Sequence, residues 1–142
     1  MPRRSALAGS PATPTDEKIT LNLGCVDLGQ IDLLVQEGFY ANRSDFIRSA
    51  IRSQLTVHSE AVRQVMSRKT LVLGIQHYTA ADLEAVKASG QRLQIRVLGL
   101  ASIASDVSPA LARAAIESLT VLGALRASDD VKKALADRLQ YA

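Results

Sequence analysis

A chain of 142 residues, 47% of them apolar, has enough nonpolar side chain for one ordinary domain or two small ones. Its formal net charge of +3 is a mild basic lean, compatible with a nucleic-acid partner without requiring one. A single cysteine, Cys25, excludes an internal disulfide, and the sequence holds neither a bilayer-length apolar run nor the apolar stretch of a secretory signal at Met1–Ser10, so the expected location is cytoplasmic, with no membrane partner.

Residues 1–16 hold Pro2, Pro11 and Pro14 among Ser, Thr, Gly and Ala, and read as a disordered tail. From Lys18 to Leu23 the side chains alternate. Ile19, Leu21 and Leu23 fall on one face, and Lys18, Thr20 and Asn22 on the other, which is the period of a strand. Gly24 breaks it. A helix is predicted over about Asp27–Glu37, with Leu28, Ile31, Leu34 and Val35 on one stripe and Gly38 as its left-handed stop. Asn42 is a favoured N-cap for the next helix, and Asp45 is placed to reach back as a capping-box partner. Phe46, Ile47, Ala50, Ile51 and Leu55 form its apolar face, and the stripe runs on through His58, Val62, Val65 and Met66. This predicts one long helix to about Ser67 or two helices with a break near Val57.

One strand and two helices cannot close a core alone. Such a unit borrows a strand from a second chain, and the resulting two-stranded ribbon fits the major groove of DNA.

The second half carries a repeat. Val72-Leu73-Gly74, Val97-Leu98-Gly99 and Val121-Leu122-Gly123 recur at spacings of 25 and 24 residues. The strand-like runs before them are Lys69-Thr70-Leu71, Leu93–Arg96 and Leu119-Thr120, which puts each glycine at a strand end, where it allows a sharp bend or the close approach of neighbouring backbone. A polar turn and a helix follow each, beginning near Thr79, Ser105–Pro109 and Ser128. Ser108 with Pro109, and Ser128 with its aspartates, are good helix starts. Fixed-period strand–helix units predict a short solenoid or an open α/β layer with a small parallel sheet.

Residues 17–56 resemble the ribbon-helix-helix DNA-binding domain of CopG-like bacterial transcriptional regulators. The matching residues are Lys18–Leu23, Gln30-Ile31-Asp32, Val35, Gly38-Phe39-Tyr40 and Asn42–Arg52. Gly24-Cys25 departs from the Pro or Ser that such proteins often place there. The resemblance implies an intertwined homodimer in which Lys18, Thr20 and Asn22 read base edges. Their chemistry suits that role: Lys donates to guanine, Asn pairs bidentately with adenine, and Thr offers a hydroxyl or a methyl. It also implies a phosphate clamp at Asn42, Arg43 and Ser44, where free backbone amides and the helix dipole meet a phosphate.

The predicted fold is therefore mixed α/β. A disordered tail (1–16) precedes a ribbon-helix-helix domain (17–68) and a β-α repeat domain (69–142) that serves oligomerisation or sensing. The expected protein is a sequence-specific DNA-binding regulator, a repressor on a repeated or palindromic operator in double-stranded DNA, acting as a dimer or a higher oligomer. An antitoxin and a DNA-organising assembly protein are the alternatives. No metal, cofactor or catalytic residue is expected, because Cys25, His58 and His77 lack ligand spacing and no nucleophile–base pairing stands out. Cys25 reads as a buried structural thiol, and His58 as a core or interface histidine.

Overall fold

The computed structural model describes residues 15–140; the tail expectation for residues 1–16 lies almost wholly outside that range. The chain is mixed α/β. Three helices come first: α1 (Cys25–Gln36), α2 (Arg43–Val57) and α3 (Ser59–Lys69). The sheet and its helices follow: β1 (Val72–Tyr78), α4 (Ala80–Ala88), β2 (Leu93–Ile103), α5 (Pro109–Ala115), β3 (Ile116–Arg126), α6 (Asp129–Ala134), a 3-10 turn at Ala136–Arg138 and β4 (Leu139–Gln140).

Local chemistry sets the helix ends. At the close of α1, Gly38 has φ +83°, its N–H donates to the Val35 carbonyl, and the Phe39 N–H donates to the Leu34 carbonyl. That pair of bonds is a Schellman stop. Asn42 caps α2 by accepting from the Asp45 N–H at 2.8 Å. Asp45 reaches back, but to the Ala41 N–H at 3.0 Å and not to that of the cap itself. α2 and α3 are separate helices that meet at His58, which ends one and begins the other.

The sheet is parallel in the order β1-β2-β3-β4, so each strand lies beside its sequence neighbour as in a solenoid. The repeats are in register: Val72, Val97 and Val121 align, as do Leu73, Leu98 and Leu122, and Gly74, Gly99 and Gly123. Each connecting helix starts on a hydroxyl cap. Thr79 forms a full capping box with Asp82, Ser108 accepts from Leu111 N–H with Pro109 in the first turn, and Ser128 accepts from Val131 N–H. The helices pack on one face of the sheet. Leu83, Ile95, Val97, Ala101, Ile103, Leu111, Ile116, Leu119, Val131 and Leu135 make the core there.

Two readings of the repeat need correction. Lys69 closes α3 and Thr70 is its left-handed cap, so no strand precedes Val72 at that point. The glycines do not end the strands either, because β1, β2 and β3 run on through them. A strand can pass a glycine when the residue faces backbone instead of a turn. A Cβ on Gly99 would lie 2.2 Å from the Gly74 carbonyl oxygen, and one on Gly123 would lie 2.1 Å from that of Gly99. With φ near +141° and +119°, both positions suit glycine alone.

Candidate nucleic-acid interface

Lys18–Leu23 lies before α1 without a strand assignment. A ladder needs a second strand, and none of the described strands pairs with this segment. Lys18, Thr20 and Asn22 are exposed. On the opposite side of the alternation, Leu21 and Leu23 line an apolar groove of about 450 Å³ with Ile31, Leu34, Phe46, Ile47, Ala50 and Ile51 of α1 and α2. This groove is the part of the unit left without a filling. Ile31 is the only apolar side chain buried among the described residues before Leu71.

The start of the segment is tied to the far end of the chain. Arg126, at the end of β3, donates to the Glu17 carboxylate at 2.5 Å and to the Asp16 carbonyl at 3.1 Å. Thr15, Glu17 and Ile19 share a second groove with the glycine row, Ile75, Leu100 and Ala124. The polar side chains of this region also gather, since Thr15, Asp16 and Glu17 line a groove with Arg48 and Arg52 of α2.

Asn42, Arg43 and Ser44 stand together at the start of α2, all exposed. The Asn42 side chain accepts from the Asp45 N–H, which leaves the backbone amides of Arg43 and Ser44 as the first-turn donors toward solvent. Arg43 is not a free cation. Its Nε and Nη2 donate to the two carboxylate oxygens of Asp32 at 2.7 and 2.8 Å, a bidentate pair between α1 and α2. The pair holds the Asp32 carboxyl below the ordinary carboxylate range, chiefly through the hydrogen bond from Arg43. It also orients the guanidinium at the helix start.

Sequence reading missed Asp32 and Glu17 as the partners of Arg43 and Arg126. No local pattern links residues separated by 11 or 109 positions. Tyr40 packs edge-on against Phe46, with ring centroids 5.0 Å apart, while Phe39 is exposed. Cys25 is exposed at the first position of α1, so the expectation of a buried thiol is wrong for this chain; a residue at the open end of a helix has nothing above it to cover it. His58 is exposed, so it is not a core histidine, and it shares a 3.2 Å hydrogen bond with Gln54. His77 on β1 is hydrogen-bonded to Ser102 on β2 at 3.1 Å. Among the described residues no group of His, Cys, Asp and Glu could hold a metal ion, and no helix is long and apolar enough to cross a membrane.

The model of the Ribbon-Helix-Helix transcriptional regulator family matches residues 14–132, which takes in the helices, β1, β2, β3 and most of α6. The chain is also 39% identical over 54 residues to the uncharacterized protein MJ1679 of Methanocaldococcus jannaschii, a match covering 38% of this chain. The chain spans about half of that relative's length, 54%. No solved structure matches it.

Proposed function

The chain belongs to the Ribbon-Helix-Helix transcriptional regulator family, and on that premise we propose that it is a repressor that binds a repeated or palindromic operator as a dimer. One observation carries this reading: Lys18, Thr20 and Asn22 are exposed on a segment whose Leu21 and Leu23 line the unfilled groove over α1 and α2. A second copy supplies the missing strand, fills both grooves and brings two sets of these side chains onto one ribbon. The ribbon enters the major groove, where the three residue types distinguish base pairs. The first turn of α2, with Arg43 held beside it by Asp32, grips the flanking phosphate on each side. Two such half-sites related by a dyad match a palindromic operator.

The antitoxin reading has less support. Toxin-gripping tails are segments that fold on binding, whereas the C-terminal half of this chain has its own buried core.

Titration of operator and random duplexes separates the two roles. Asn22→Ala and Thr20→Ala should each lose about 1–3 kcal/mol of discrimination at the contacted base. Arg43→Ala should weaken binding to every sequence and reduce the salt slope by about one charge per protomer. Unchanged operator-versus-random discrimination in Asn22→Ala would remove the ribbon from base reading.

A further inference from the structure

The helices α4, α5 and α6 cover one face of the sheet, and the other face is only partly covered. Leu100 is buried there, in the groove shared with Thr15, Glu17 and Ile19. Leu73 is 68% exposed and Ile75 57% exposed, and Leu122 is also open. Leu98 and Leu73 line a hydrophobic groove with Leu55, Val62 and Met66. Exposed apolar surface on this scale marks an interaction site.

The surface is continuous with the groove of the ribbon unit. Ile47, Ile51 and Leu55 are spaced four residues apart along α2, so they form one stripe. Ile47 and Ile51 line the ribbon groove, Leu55 lines the sheet-side groove, and Val62 and Met66 of α3 carry the stripe to Leu73 and Leu98. We propose that this sheet face continues the ribbon dimer interface, covered by the same second copy of the chain that completes the ribbon. The inference rests on the dimer reading above and extends it to the C-terminal half.

Three features favour a second copy as the occupant. A two-fold interface requires a patch that is complementary to itself, and a row of leucines is so. The one cation in the groove lining, Arg63, is already paired with Glu60 at 2.6 Å, so a second copy would not meet an unpaired charge. The residues outside the described range, 1–14 and 141–142, offer only Met1, Leu7 and Tyr141 as large apolar side chains, too few to fill the face from within the chain.

The test uses the full chain and two variants. Leu73→Glu with Leu122→Glu changes exposed side chains, and an unaltered circular dichroism spectrum will show that the fold is kept. By sedimentation equilibrium its dimer dissociation constant should rise about a hundredfold, since each substitution occurs twice in a two-fold interface. In a second protein, p-benzoylphenylalanine at position 73 should photo-crosslink two chains, with the captured peptides mapping to α3 or the sheet. Ile47→Glu serves as the ribbon control. If Ile47→Glu breaks the dimer and the sheet-face variant does not, the ribbon reading stands and this inference falls. Crosslinks confined to one chain overturn it as well. So does a wild-type tetramer that the sheet-face variant turns into a DNA-binding dimer, because the occupant is then a second dimer. A monomeric wild-type protein overturns both readings together.

Discussion

Residues 15–70 and residues 71–140 differ in how they are held together. The later region buries Leu83, Ile95, Val97, Ile116, Leu119, Val131 and Leu135 almost completely, between a parallel sheet and three capped helices. The earlier one buries Ile31 alone and leaves Ile19, Leu21, Leu33, Ile51, Leu55 and Val57 exposed, although Gly38 stops α1 cleanly and Asn42 caps α2. Good local chemistry therefore does not imply a core. Caps and turns fix where helices begin and end, at about 1 kcal/mol each. Burial decides whether they stay together. On the function proposed above, a second copy finishes the region with the open groove, and that dependence links folding to the pairing that reads DNA.

The largest effect expected lies inside the region with its own buried core. Gly99→Ala puts a Cβ 2.2 Å from the Gly74 carbonyl oxygen at φ +141°, so the strands must part or the backbone must turn. We expect a loss of more than about 4 kcal/mol, or failure to fold. Gly74→Ala meets no atom within 4 Å and suffers only its φ of +130°, so it should cost about 1–3 kcal/mol. Equal losses for the two in denaturant unfolding would show that backbone conformation alone, and not strand approach, selects the glycines.

Next in size is a pair of truncations that tests the contrast directly. Leu119 is 0% exposed, and Leu119→Ala should cost about 2–5 kcal/mol at any protein concentration. Ile51 is 47% exposed in the single chain, where Ile51→Ala would fall within about 0.5 kcal/mol. If a second copy covers it, the loss should reach about 2 kcal/mol per protomer and grow on dilution. Indifference of the Ile51→Ala variant to concentration would end the distinction between a finished and an unfinished half.

Much of this was legible in the sequence, for local reasons. Asn42, Gly38, Ser108 and Ser128 act through bonds to residues within a few positions, so their roles can be read from spacing. The break near Val57 was one of two readings of the helical stripe, and the Val-Leu-Gly repeats align because side-chain periods survive in parallel strands. The extent of the strands was hidden, because glycine usually ends an element and here allows close backbone approach between strands. The short β4 gives no periodic signal over two residues. The Asp32–Arg43 and Glu17–Arg126 pairs depend on tertiary proximity. Exposure of Cys25 depends on its place at the open first position of α1, which residue type alone does not state.

The smallest effect concerns acid. Asp32 is held below the ordinary carboxylate range chiefly by its hydrogen bond from Arg43, and Asp137 by that from Arg113. A carboxyl with a lowered folded-state value stabilises the fold fully above the unfolded-state value of about 3.9, and that contribution disappears as pH falls through the lower folded-state value. Both groups are exposed to solvent, so the losses should be small and should shrink with salt. The halves should nevertheless respond differently. Asp137→Asn should flatten the acid-induced loss of stability equally at all protein concentrations, because Arg113 and Asp137 belong to the half with its own core. Asp32→Asn acts where α1 meets α2, the two helices whose groove a second chain is proposed to fill. Its flattening of the acid response should be strongest in dilute protein, where the dimer is closest to dissociating. Thermal melts from pH 5 down to about pH 2.5, at two concentrations and low salt, measure both. The same concentration dependence in the two variants would mean that pairing of chains supports both halves alike, and the contrast between them would be one of packing density only.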